Sequence, residues 1–480
     1  MHNRLSTIAV SLILALSALS LNAKSDQPNI LLFLTDDESA FDRSAYGWSN
    51  IPTPAFDEVA KAGILFQNAY SSAPSCGAAR AALLTGRHFW QNQNMALIQG
   101  FMPLEIPVMT TILQENGYWI GNTTKMDGPA SRPPEAQDGS MLGKRYNTEK
   151  IETPEEVRPY DYAANFEVFL KDREDGQPFF FWAGVIEPHF PWGRENYKLL
   201  ESEYGISIDD LFLPPALEDT PEKRKWWGGF LYEICYADTH LKRMIEHLKE
   251  IGELDNTIII ATADNGAYLP VDGKYLGKAS PYEYGVHVPL AIMWPEKIQS
   301  SRVVEDFVSF ADIAPTLLEA ANIEVPVGMT GDSLTTIFNS TDSGMIENRD
   351  FMRTGLEWHG EFDPVSRSTR SIRKANYSYL VRYNNVDEQG ELLSNAELTI
   401  PASEEFYDLT TDPWQLNNLI DDPKHKQTLE KMRQLYVDSG QSMNDPRVTG
   451  EMDLFRKMRQ YVQKRKKDGY RETSRMSLGD

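Results

Sequence analysis

The stretch "PNILLFLTDDE", residues 28–38, decides the fold. Ile30 to Leu34 are apolar without a break, and two acids follow at Asp36 and Asp37. A strand with one wet face alternates apolar and polar residues. An unbroken run marks a strand covered on both faces, as in a parallel sheet between helices. Similar runs recur at 177–189 ("QPFFFWAGVIEPH"), 256–266 ("NTIIIATADNG") and 287–295 ("HVPLAIMWP"). Helical patterns lie among them at 55–62, 79–85, 108–116 and 226–250. The alternation predicts an α/β domain with a mostly parallel central sheet. Ligands of such sheets collect at the carboxyl ends of the strands. Those ends carry Asp36-Asp37, Glu187-Pro188-His189 and Asp264-Asn265, polar groups that folding alone does not require.

After about residue 345 the texture changes. "RSIRKANYSYLVRYN" and "EEFYDLTTDPWQLNNL" read as shorter alternating strands, followed by a helix near 424–438. The expected organisation is a catalytic domain over 24–345 and a smaller C-terminal α+β subdomain over 346–480. The last stretch, 456–480, is polar and locally basic, and is expected to be a solvated helix running into a loose end. At the other terminus, Arg4 precedes an apolar run from Ile8 to Leu21 that ends near Ala23. The run is too short to span a bilayer and reads as a signal peptide over 1–23. The mature chain is expected to be exported, periplasmic or secreted, with no membrane insertion.

The 480 residues carry a net charge of −23, which argues against nucleic acid as a partner. A polyanionic substrate would have to be captured by local cations. The chain has two cysteines. Cys235 sits beside a helical stripe of Trp227, Phe230, Leu231, Ile234 and Leu241, and reads as an inert buried thiol. Cys76 lies in "SSAPSCGAARAALLTGR", residues 71–87, four places before Arg80 where a helix begins. That spacing puts both side chains on one helical face. A helix start beside an arginine favours an anion and lowers a thiol pKa. On residue type alone Cys76 stays open between a core thiol, half of a disulfide, a nucleophile and the precursor of another group. Asp36, Asp37, Asp264 and the Asn265 amide are hard ligands suited to Ca²⁺ or Mg²⁺, although acids and amides also serve in strand-end turns.

The pattern Cys76-x-Ala78-x-Arg80 followed by Leu83-x-Thr85-Gly86 resembles the signature of type I sulfatases, in which the cysteine is oxidised to formylglycine. "PNILLFLTDDE", "ATADNG", "GKASPYEYGVHVP" and "VSFADIAPTLLEAANIEVP" are also similar to family segments, so the resemblance covers almost the whole mature chain. It implies an alkaline-phosphatase-like α/β/α sandwich. It also implies one divalent ion, usually calcium, on Asp36, Asp37, Asp264, Asn265 and the modified residue 76. Arg80 would orient that residue, while Lys125, Lys278 and His189 fall at the sulfate-gripping and leaving-group positions. Hydrated formylglycine would supply the attacking hydroxyl, with His189 as general acid. A formylglycine-generating maturation enzyme is the implied partner.

Two positions depart from the family pattern. Asp127 stands where many sulfatases have a histidine, which makes it a candidate for the base of the sulfate-release step or for a contact to a substrate amine or hydroxyl. His287 replaces a family arginine. "PSCGAARAALLTG" and "LPPALEDTPEKR" are similar to the heparan N-sulfatase-like branch, implying a sulfated carbohydrate, either an algal polysaccharide such as ulvan or a glycosaminoglycan. Trp90, Trp192, Trp358, His287 and His359 are candidate substrate contacts, with plain packing at least an equal reading for each tryptophan and for His359. A phosphonate or phosphodiester hydrolase of the same superfamily is the neighbouring reading. A catalytically silent carbohydrate-binding relative is another, against which the intact set of Cys76, Arg80, Lys125, His189 and Lys278 argues.

Overall fold

The computed structural model describes residues 27–97, 102–125, 141–271, 274–357, 359, 367–453 and 455–456. Residues 1–23, expected to be a signal peptide, Asp127, Trp358 and all but the first residue of the basic 456–480 tail lie outside the described residues. Strands run in chain order as β1 (Asn29–Thr35), β2 (Ile64–Tyr70), β3 (Trp119–Thr124), β4 (Lys144–Arg145), β5 (Phe179–Gly184) and β6 (Thr257–Ala263). A short hairpin, β7 (Pro270–Val271) and β8 (Lys274–Tyr275), precedes β9 (Leu290–Met293) and β10 (Arg302–Ser309). Eight of these form one sheet in the order β10-β2-β9-β6-β1-β5-β3-β4. β1 lies at its centre, parallel to both neighbours, with Leu31 opposite Phe181 on one side and Ile259 on the other. β9 is the exception, running antiparallel to β2 and β6.

The unbroken apolar run of β1 now has its physical reason. Ile30, Leu32 and Leu34 enter a core with the helices Cys76–Thr85 and Ile313–Ala320, while Leu31 and Phe33 enter a second core with Phe166, Leu241, Met244 and Ile245. Both faces of the sheet are covered, making an α/β/α sandwich. The helix expected at 226–250 starts earlier, at Pro221. The Thr220 hydroxyl accepts from the Lys223 N–H, and proline at the first helical position suits the missing donor. Among the described residues, no helix is long and apolar enough to cross a membrane.

The C-terminal part is an antiparallel sheet of β11 (Phe351–Leu356), β12 (Arg367–Lys374), β13 (Tyr377–Asn384) and β14 (Pro401–Asp408). Helix Lys426–Ser442 packs Leu429, Met432 and Tyr436 onto Ile372, Tyr379, Val381 and Phe406. A buried charge network joins this part to the first. Asp445 accepts from Arg353 (2.5 Å) and Arg370 (2.8 Å), while Glu357 accepts from Arg370 (2.6 Å) and Arg447 (2.7 Å). The Arg370 guanidinium also lies 4.8 Å from the Phe89 ring centroid and that of Arg353 5.8 Å from Trp90, just past helix Cys76–Thr85. Both cysteines are free and buried, so the open disulfide alternative falls away.

Candidate active site

The acids converge at the carboxyl edge of the sheet. Asp37 follows β1 with φ 70°, a left-handed conformation uncommon outside glycine, and its N–H donates to Asp264 Oδ1 at 3.1 Å. Asp264 follows β6, the strand beside β1, and its own N–H donates to the Thr35 carbonyl. Asp36, Asp37, Cys76 and Asp264 each offer one ligand atom, all within 4.8 Å of one another. The Asn265 amide nitrogen donates to Asp37 Oδ1 at 2.7 Å, and its Oδ1 is buried without a hydrogen-bond partner. Gly266 permits this, since a Cβ there would lie 1.7 Å from the Tyr284 carbonyl oxygen. Three carboxylates and an orphaned amide oxygen fit a hard divalent cation.

Three cations stand among these acids. Lys278 Nζ lies 2.6 and 2.7 Å from the two Asp37 oxygens, Lys125 pairs with Asp36, and Arg80 Nε meets Asp264 Oδ2 at 2.8 Å. Arg80 also donates to the Lys125 carbonyl at 2.8 Å. Burial alone raises the Asp36 and Asp37 carboxyls, but Lys125 at the first and Lys278 at the second bring both below the ordinary range. Burial disfavours the Lys278 charge, yet Asp37 foremost holds it well above its usual value. Cys76 opens helix Cys76–Thr85, 3.4 Å from Asp36 Oδ1 and only 1% exposed. Burial, then Asp264 and Asp36, push its thiol well up, against the lowering expected from a helix start beside Arg80. Without a cation among these acids, burial and the neighbouring carboxylates disfavour the Cys76 thiolate.

A metal-free preparation should gain thermal stability when calcium is added. At about 100 times Kd the ligand contributes roughly 2.7 kcal/mol. Calorimetric titration and a melting series on wild type and Asp264→Ala check this; equal melting with and without calcium in wild type would remove the metal reading.

His189 lies on the loop after β5. Its Nε2 is 3.7 Å from Asp37 Oδ2, and its Nδ1 is 2.7 Å from the Phe190 carbonyl. A carbonyl only accepts, so Nδ1 carries a proton and Nε2 is the nitrogen presented to the site. The loop is braced from below. Buried Glu187 accepts from the Arg158 N–H (2.7 Å) and the Tyr162 hydroxyl (2.6 Å).

Three expected substrate contacts prove to be packing. Trp192 donates its indole N–H to the Pro188 carbonyl at 2.5 Å, with its ring 4.6 Å from both Trp226 and Phe230. His287 stacks on Tyr70 at 5.0 Å, and its Nε2 meets the Gln67 carbonyl at 2.9 Å. Trp90 is 1% exposed and stacks on His88. Trp90 and Trp192 are buried and His287 is half-buried, each ring packed on an aromatic neighbour. His359 is placed differently. It reaches from the β11–β12 connection to the Ser75 hydroxyl, Nδ1 to Oγ 3.0 Å, beside Cys76. Burial first, then Lys278, lowers it to about 4, so it is neutral at neutral pH.

Sequence reasoning missed Glu187 as a brace, the Ser75–His359 bond, and the left-handed backbone at Asp37, Thr124 and Ala279, each at or beside a site residue. No residue-type pattern announces these.

Comparison with known proteins fits this geometry. Residues 28–323 match the family described as Sulfatase, and residues 273–441 match N-sulphoglucosamine sulphohydrolase, C-terminal. An ulvan-active sulfatase of Formosa agariphila is 27% identical over 428 residues, covering 86% of this chain and 79% of that one. An N-acetylglucosamine-6-O-sulfatase of Bacteroides thetaiotaomicron is 24% identical over 537 residues, covering 91% of each. Among solved structures, one described as a complex with its substrate D-glucosamine-2-N,6-O-disulfate superposes with a TM-score of 0.67 at 20% identity. That likeness covers 88% of this chain and 99% of the other, and speaks for the fold alone.

Proposed function

The chain belongs to the sulfatase family and is a sulfuric ester hydrolase; from that premise we propose that it removes sulfate from a sulfated carbohydrate, using a formylglycine made from Cys76 and one bound calcium ion. The substrate class is an algal polysaccharide such as ulvan, or a glycosaminoglycan oligosaccharide, in keeping with the relatives' names. The observation that carries the reading is the convergence of Asp36, Asp37, Asp264 and three cations on Cys76 at a helix start. We also propose that the chain is exported, to the periplasm or beyond, on the strength of residues 1–23.

Asp36, Asp37, Asp264 and Asn265 would hold the calcium; the ion supplies positive charge, and the formylglycine supplies the hydroxyl that attacks sulfur. The chain's own groups do the rest. Arg80, fixed by Asp264 and the Lys125 carbonyl, orients residue 76. The Lys125 and Lys278 ammonium groups offset charge that develops on the sulfuryl oxygens. As the imidazolium, with Nδ1–H held by the Phe190 carbonyl, His189 would give its Nε2 proton to the departing oxygen or nitrogen and be left as the neutral Nδ1–H ring. Asp127, two residues past Lys125, is the candidate base for sulfate release.

Two experiments test the reading. Parallel kinetics on an aryl sulfate and the matching aryl phosphodiester should favour the sulfate, and a preference for the phosphodiester would move the chain to the phosphonate hydrolases. Mass spectrometry of the residue-76 peptide after coexpression with the maturation enzyme should show the aldehyde; an unmodified thiol with no activity would mark a silent relative. For His189→Asn, kcat on an unactivated sugar sulfate should fall about 100-fold, and less on 4-nitrophenyl sulfate, whose leaving group needs no proton. Equal losses on both substrates would deny His189 the acid role.

A further inference from the structure

We infer that His359 is a positioning residue for the reaction: through Ser75 it fixes the start of the helix that carries residue 76. This rests on the sulfatase reading above and adds to it a role for the C-terminal part of the chain. The contact runs from His359 Nδ1 to Ser75 Oγ, 3.0 Å, across 284 positions of sequence. His359 is half-buried and within electrostatic reach of Lys278, Asp37, His189 and Lys125, so it stands at the site itself.

Ser75 uses its hydroxyl in an uncommon way. It is the N-cap of helix Cys76–Thr85, where a serine oxygen ordinarily accepts from N–H groups of the first turn. Here the side chain makes no such bond, and the hydroxyl meets His359 instead. The backbone of the same turn is tied elsewhere. The Ser75 N–H donates to the Ala73 carbonyl at 2.8 Å, and the Ser75 carbonyl accepts from the Ala79 N–H at 2.9 Å. The Pro74 carbonyl accepts from the Ala279 N–H at 2.8 Å, which joins the turn to the segment bearing Lys278. His359 adds a hold from the C-terminal part.

A hold works only if its far end stays still, and this one is anchored. Two residues before His359, the Glu357 carboxylate accepts from the buried Arg370 and Arg447 at 2.6 and 2.7 Å. The Glu357 carbonyl also accepts from the Ser368 hydroxyl at 2.7 Å. Attack on sulfur needs residue 76 in line with the departing group, and a shift of about 1 Å can cost about 100-fold. A residue that holds the nucleophile without touching substrate changes kcat and kcat/KM alike. A substrate contact, the role that residue type suggested, would instead raise KM and matter more for a sugar than for a small aryl ester.

The test uses matured wild type, His359→Ala, His359→Asn, His359→Gln, Ser75→Ala and the double alanine variant, each rate divided by the formylglycine content found by mass spectrometry. On 4-nitrophenyl sulfate, kcat of His359→Ala should fall about 10- to 100-fold, with KM changed by less than about 3-fold. Asparagine places a polar atom where Nδ1 stood and should restore most of kcat, whereas glutamine, which mimics Nε2, should not. Ser75→Ala should lose as much as His359→Ala, and the double variant no more than either. Independent losses in the double variant, rescue by glutamine in place of asparagine, or a loss carried by KM that deepens on a sulfated disaccharide would overturn the proposal. A wild type inert on every sulfate ester would sink the sulfatase reading instead. A double-mutant cycle in urea unfolding would then still test whether Ser75 and His359 act together, and additive losses there would overturn the proposal as well.

Discussion

Replacing Cys76 by alanine should abolish sulfate ester hydrolysis, a loss of about 100,000-fold or more in kcat, as for removal of a nucleophile from a site whose members act as a unit. The fold should survive. Alanine is the best helix former, and the small neighbours Ala78 and Ala79 show that the helix start tolerates little bulk. The Arg80–Asp264 and Lys278–Asp37 pairs do not depend on the sulfur. Steady-state kinetics with an aryl sulfate, beside melting curves of both proteins, separate chemistry from folding. A folded variant with activity within an order of magnitude of wild type would place the nucleophile elsewhere.

Asp445→Ala should cost about 3–5 kcal/mol of stability, the range for breaking a buried ion pair from one side. Arg353 and Arg370 are 0% exposed and both lean on this carboxylate. Its Oδ1 also accepts from the Arg447 N–H at 3.1 Å, capping the helix Pro446–Thr449. Removal leaves two guanidinium groups short of their counter-charge, with Glu357 the remaining acid. Urea unfolding with matched m-values gives the number, and a loss under about 1 kcal/mol would mean that water enters the site. The network also predicts a pH dependence. Burial raises Glu357, but Arg370 and then Arg447 outweigh it and bring the carboxyl to about 2 from an ordinary 4.5. A carboxylate depressed in the folded state stabilises above its unfolded pKa and loses that contribution as pH falls through the folded one. Stability from Glu357 is thus complete at neutral pH and declines between about 4.5 and 2.

The convergence of the acids was largely legible in the residues, because buried strands that end in acids have few reasons to do so. Asp36, Asp37, Asp264 and Asn265 stand out for that reason, and Cys76 with Arg80 by spacing. What was not legible depends on partners far along the chain. Trp192 is a brace rather than a sugar contact because Trp226 and Phe230 lie against it, and residue type cannot tell a packed indole from a free one. The Ser75–His359 bond joins positions 284 apart, and no local pattern foretells it. The signature helix begins at Cys76, as the Cys76–Arg80 spacing implied, although the apolar pattern itself reads only from 79.

The arginine network that joins Phe89 and Trp90 to the C-terminal sheet bears on how this molecule can diversify. Swapping that sheet for a homologue's would take Arg353 and Arg370 away from Phe89 and Trp90, and would bring in a new residue at position 359 beside Ser75. The chain is not modular at its visible seam. Residue 359 and the Ser75–Cys76 turn it touches are inherited together, and recombination between relatives should succeed at breakpoints that keep residues 88–90 with 353–370.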